Sequence, residues 1–133
     1  MIDVVDKQRQ ALDPKLKGLV DQESDDEKDF IYCGTCSCVI GRRTDRIDVS
    51  GSHDHLFTNP YGFQYHIGCF ADALGCSLSG AAEAADTWFY GYQWRLASCG
   101  DCQRHIGWYF DRTSADSANQ FFYGLILDRI QYE

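Results

Sequence analysis

From Phe30 onward the apolar positions fall in short runs broken by turn residues, without the 3.6-residue spacing of a helix. Runs at 31–32, 36–40, 45–49, 56–57, 63–67, 92–96, 105–110 and 124–127 are rich in aromatic and β-branched residues and predict strands. Asn59-Pro-Tyr-Gly62 predicts a turn with proline at its second position. Residues 81–85, inside a small-residue stretch, predict a helical turn or plain loop, and 114–122 predict one more helical turn. The fold class expected for 30–133 is therefore a small all-β domain, whose modest core makes a staple plausible.

Residues 1–29 behave differently. They hold none of the 19 aromatics and none of the seven cysteines, yet all four lysines. Nine acidic and five basic residues crowd this stretch, which buries too little apolar surface to offset its chain entropy. Leu12, Leu16, Leu19 and Val20 allow a short helix over 6–20, starting near Pro14. A solvated tail or loosely docked helix is expected here.

Charge and length exclude further classes. The 133 residues suit one domain, and a net charge of −8 has the wrong sign for gripping a phosphate backbone. Nucleic-acid binding is not expected. No run of about 18 apolar residues is present, so no membrane span is expected. The polar, acidic start lacks the apolar stretch of a signal peptide, which gives a cytoplasmic location as the expectation.

The strongest chemical signal is a duplication. Cys33-Gly-Thr-Cys-Ser-Cys-Val-Ile-Gly41 aligns without gaps on Cys99-Gly-Asp-Cys-Gln-Arg-His-Ile-Gly107, sharing C-G-x-C-x-x-x-I-G. A tight turn between two thiolates, with a glycine free to take unusual dihedrals, points backbone N–H groups at the sulfurs. Two such knuckles complete a tetrahedral site, so Cys33, Cys36, Cys99 and Cys102 are expected to hold one structural zinc. Disulfides fit less well, because seven is odd and no export signal is visible. His105, three residues past Cys102, is a further candidate ligand that two intact pairs make unnecessary. Cys38, Cys69 and Cys76 are expected to serve as small buried apolar residues.

All three tryptophans lie within 88–108, flanking the second knuckle. Trp108 and Phe110 are two apart and share one face of a strand. Gly91 should bend the chain so that Trp88 and Trp94 face each other, and Gly107 beside the rings suits backbone approaching a ligand. Such a cluster is either a core or a cage.

Asn59-Pro-Tyr-Gly62, Thr87-Trp-Phe-Tyr-Gly-Tyr-Gln-Trp94, Cys99-x-x-Cys102 and His105-Ile-Gly-Trp-Tyr-Phe110 together resemble the thalidomide-binding (CULT) domain family of cereblon. The resemblance covers about residues 30–130. It implies a β-tent, two antiparallel sheets pinned by one zinc. It also implies a pocket with Trp88, Trp94 and Trp108 as walls and Phe110 beside them. Backbone groups at Asp86 and Trp88, with Thr87 between them, would supply polar contacts, and Asn59 and Pro60 would line the rim. Two departures stand out: Tyr90 replaces the family's usual proline, and Asp86 its usual histidine. Nothing before Phe30 resembles a Lon-like domain or adaptor-binding helices, so a free-standing, bacterial-type domain without a ubiquitin-ligase adaptor is expected.

Three indole faces suit a cation or a flat, partly apolar neutral ring. The resemblance selects the ring: a cyclic imide such as glutarimide, with uracil, uridine or the C-terminal cyclic imide of a damaged protein presenting the same edge. A methylammonium-reading cage is the physical alternative, and Asp86 would favour it. B-type methionine sulfoxide reductases have a similar zinc-pinned fold but need a cysteine after the second pair. None follows Cys102. A non-catalytic binding module is therefore expected.

Overall fold

The computed structural model describes residues 29–113 and 120–131. Nine strands, β1 to β9, form two antiparallel sheets. β1 (Phe30–Cys33), β2 (Val39–Arg42) and β9 (Ile130–Gln131) make a three-stranded sheet in the order β2-β1-β9. β3 (Asp54–Thr58), β4 (Gln64–Phe70), β5 (Cys76–Glu83), β6 (Tyr92–Cys99), β7 (His105–Arg112) and β8 (Phe121–Ile126) make a six-stranded sheet in the order β3-β4-β8-β7-β6-β5. The all-β expectation holds. Among the described residues no helix is long and apolar enough to cross a membrane.

Side chains alternate across β8 and divide the apolar residues into two cores. Tyr123 and Leu125 join Ile31, Ile40, Phe70 and Ile106 in the core that includes the three-stranded sheet. Phe122 and Ile126 join Ile67, Phe89, Trp108 and Phe110 in a second core, rich in aromatic rings. Cys33 and Cys99 are fully buried in the first core, whereas Trp88 and Trp94 flank the second.

Three expectations are corrected. The alanine-rich segment 81–85 is not a helical turn, since 81–83 end strand β5. β5 pairs only with β6, and its register slips so that Ser79 to Glu83 spans Leu96 to Trp94. Helix propensity is a weak preference there, and the open hydrogen-bonding edge of β6 overrides it. Segment 45–49 is not a continuous strand. A 3-10 turn over Arg43–Asp45 leads into single bridges, Arg46 to Phe70 and Val49 to Ser52. The chain reverses at Ser50 and Gly51, both with positive φ, before a ladder can form. Finally, Phe121 and Phe122 open β8 rather than closing a helical turn. Residues 114–119, and the helix expected over 6–20, lie outside the described residues.

Candidate functional site

The two cysteine knuckles end β1 and β6, one in each sheet. Their duplication extends to the hydrogen bonds. Ser37 N–H donates to the Cys33 carbonyl and Gln103 N–H to the Cys99 carbonyl, each at 2.9 Å. Thr35 N–H points at Cys33 Sγ and Asp101 N–H at Cys99 Sγ, each at 3.4 Å. Unusual dihedrals sit at Ser37 (φ 66°) and Gln103 (φ 67°), not at the glycines. Gly34 and Gly100 are needed for close approach instead. A Cβ on either would lie 2.9 Å from a carbonyl oxygen, of Arg129 and Gly75 respectively.

The four Sγ atoms of Cys33, Cys36, Cys99 and Cys102 lie within 4.8 Å of one another. Cys33 and Cys102 sulfurs are 3.7 Å apart, and those of Cys36 and Cys99 are 3.5 Å apart. A zinc–thiolate bond of about 2.3 Å gives a tetrahedron with edges of about 3.8 Å, so the set fits a metal and is too open for disulfides. Burial raises the Cys33 thiol pKa, but the backbone of Cys36 and Thr35 more than offsets it, and the net shift is downward. Burial raises those of Cys99 and Cys102. The remaining cysteines stay thiols: burial pushes Cys38, Cys69 and Cys76 up to about 12.

His105 is not in this cluster. Its Nε2 lies 2.9 Å from the Gly107 carbonyl, which makes that nitrogen the protonated one, and its ring packs edge-on to Trp108. Burial holds its pKa below the usual histidine value, and Arg129 adds to the effect against the opposing Gly107 bond.

Trp108 lies on the aromatic face of the six-stranded sheet and forms an edge-on pair with Trp88, centroids 4.7 Å apart. Trp88 in turn stacks on Phe57 at 4.8 Å. Gly91 adopts φ +86°, the bend expected after Trp88, and the Trp94 indole N–H donates to the Ala85 carbonyl at 2.8 Å. These rings enclose a cavity of about 360 Å³. Asn59, Pro60, Asp86, Trp88, Trp94, Trp108 and Phe110 all line it. Asn59 Oδ1 accepts from the N–H groups of Tyr61 and Phe63, which fixes the rim turn between β3 and β4.

Thr87 does not line the cavity. Its hydroxyl bonds within the loop, to the carbonyl and N–H of Phe89, so it holds the loop rather than the contents. Gly107 faces neither rings nor cavity: a Cβ there would sit 2.3 Å from the Gly124 carbonyl oxygen, so its role is tight packing of β7 on β8.

No family model matches the chain. Its relatives include cereblon of Gallus gallus, 36% identical over 69 residues that are 52% of this chain and 16% of that protein. Cereblon of Xenopus tropicalis is 32% identical over 75 residues, 56% of this chain and 17% of that protein. Cereblon of Drosophila virilis is 28% identical over 130 residues, 94% of this chain and 19% of that protein. The chain is similar to the cereblon-like CULT family. It spans less than a fifth of the length of these relatives.

Of the two departures from the family pattern, Asp86 lines the cavity and Tyr90 does not. Asp86 adopts φ +58°, a left-handed conformation that costs a non-glycine residue energy and turns its peptide groups. Tyr90, in place of the proline, is fully exposed. The lining also contains residues that the sequence does not mark: Tyr61, Tyr65, Leu96 and His105. Leu96 was accessible by alternation from Trp94, and Tyr61 by its place in the rim turn. Tyr65 was not, because it meets Trp108 edge-on at 5.2 Å only through the order β4-β8-β7.

Proposed function

We propose that the aromatic cavity captures a small, flat, neutral ring of the cyclic-imide class, and that the protein is a non-catalytic binding module. One observation carries this: three tryptophans and Tyr65 converge on a single cavity of about 360 Å³ whose rim turn is fixed by hydrogen bonds to the Asn59 side chain. Ring faces supply the apolar contact for a glutarimide, uracil or C-terminal cyclic imide. Its carbonyl–NH–carbonyl edge is met by backbone groups at Asp86 and Trp88, the former held in a left-handed turn. The four cysteines hold one zinc, closed to water by four thiolates and therefore structural.

Asp86, exposed at the mouth, favours a second reading in which the cage holds a methylammonium group. Asp86→Asn separates the two. An imide held by backbone groups binds the variant and the wild type alike, and its affinity changes little with salt. A methylammonium paired with Asp86 loses affinity in the variant and weakens as salt rises. Trimethyl-lysine binding in the absence of glutarimide binding contradicts the imide assignment.

A further inference from the structure

A second cavity, of about 350 Å³ and polar rather than aromatic, lies on the other side of Tyr65, which lines both. Gln64 and His66 of β4 line it with Arg104 of the second knuckle and Asp128 and Arg129 of the 3-10 turn after β8. Its two guanidinium groups are held in an unusual way. Arg104 Nη1 donates to the Thr35 hydroxyl at 2.6 Å, and Arg129 Nη1 donates to the His105 carbonyl at 3.0 Å. Both acceptors are neutral. Neither guanidinium has a carboxylate partner among the described residues, although the chain carries twenty acidic residues. Arg129 also lies over the Tyr65 ring, 5.8 Å from its centroid.

Arginines held by neutral acceptors keep their positive charge uncompensated and their remaining N–H groups in a fixed orientation. That arrangement matches the paired oxygens of a carboxylate or phosphate. His66 is already engaged by Asp54, hydrogen-bonded to it at 2.8 Å. The single opposing group in the lining is Asp128, which is exposed.

We infer that this polar cavity is an oxyanion site in which Arg104 and Arg129 together hold a carboxylate or phosphate group. It stands apart from the imide assignment and does not depend on it. The test is a titration of the zinc-loaded protein, carrying ¹⁵N-arginine, with inorganic phosphate and separately with acetate. Sodium chloride at matched ionic strength is the control. The Nε–Hε signals of Arg104 and Arg129 shift saturably, with Kd on the order of 1–10 mM at low salt. Arg104→Gln, at an exposed position, weakens binding roughly tenfold, and Asp128→Asn tightens it several-fold. Phosphate binding more tightly than acetate assigns a phosphoryl ligand, and the reverse assigns a carboxylate. Because Arg129→Gln removes a bond to the β7 backbone and can loosen the fold, Arg104→Gln is the deciding variant. Chloride-like linear shifts, or equal affinity in wild type and Arg104→Gln, overturn the site.

Discussion

The cysteine cluster and the aromatic cavity share β6 but draw on the chain over very different ranges. Each knuckle makes its turn hydrogen bond and its N–H to Sγ contact within five consecutive residues, so the cluster needs only two pieces brought together. The cavity collects its lining from five separate stretches, around Asn59, Tyr65, Asp86, Trp94 and Trp108. The two regions also differ in what they support. Cys33 and Cys99 are buried where the two sheets meet, while Trp108 sits in, and Trp88 and Trp94 flank, a core on the opposite face of the larger sheet. Losing the cluster should therefore be a global event, and losing a cavity wall a local one.

The sharpest break is Cys99→Ser. Zinc binding and folding are coupled, with metal free energies of order 10 kcal/mol in small zinc domains, so this variant should lose both metal and cooperative unfolding. Metal analysis and circular dichroism check it. A chelated wild-type protein that stays fully folded would contradict the staple.

Gly107→Ala comes next and should strain the β7–β8 pairing beneath the cavity. Its Cβ meets the Gly124 carbonyl at 2.3 Å, so β7 and β8 must shift under Trp108. A loss of about 1–3 kcal/mol is expected, roughly 5–15 °C in melting temperature, with zinc retained.

Trp94→Ala isolates the cavity. Glutarimide binding should weaken by about 2 kcal/mol, a factor of about thirty, with zinc content unchanged and only a small change in melting temperature. Loss of zinc in this variant would show that the two regions are not separable.

The smallest effect is the pH dependence carried by His105. Burial places its folded pKa below the ordinary 6.5, so below that pH the unfolded chain binds the extra proton more readily. Stability from this residue is present above pH 6.5 and is lost as pH falls towards the folded value. His105→Gln should flatten that slope when unfolding is followed under saturating zinc.

This difference in range also explains what the sequence revealed. The knuckles were legible because their chemistry lies in contiguous residues, and the repeated spacing at 33–41 and 99–107 exposes it directly. The three tryptophans were legible as a group, and alternation placed Trp108 with Phe110. Tyr65 and the cavity role of His105 were hidden, because strand order and register decide them. Sequence also misread why glycines occur: at 34, 100 and 107 the reason is a backbone passing close by, which no local pattern records. The β5 edge was missed because alanine's helical preference is local, while the pairing that overrides it is with β6.

The most direct test of the cavity's assignment is calorimetric titration of glutarimide into the zinc-loaded protein, with tryptophan fluorescence followed in parallel. With about eight heavy atoms contributing roughly 0.8–1 kcal/mol each, one site of Kd near the micromolar range is expected, accompanied by quenching. A folded, zinc-loaded protein that shows neither heat nor quenching up to about 1 mM glutarimide contradicts it.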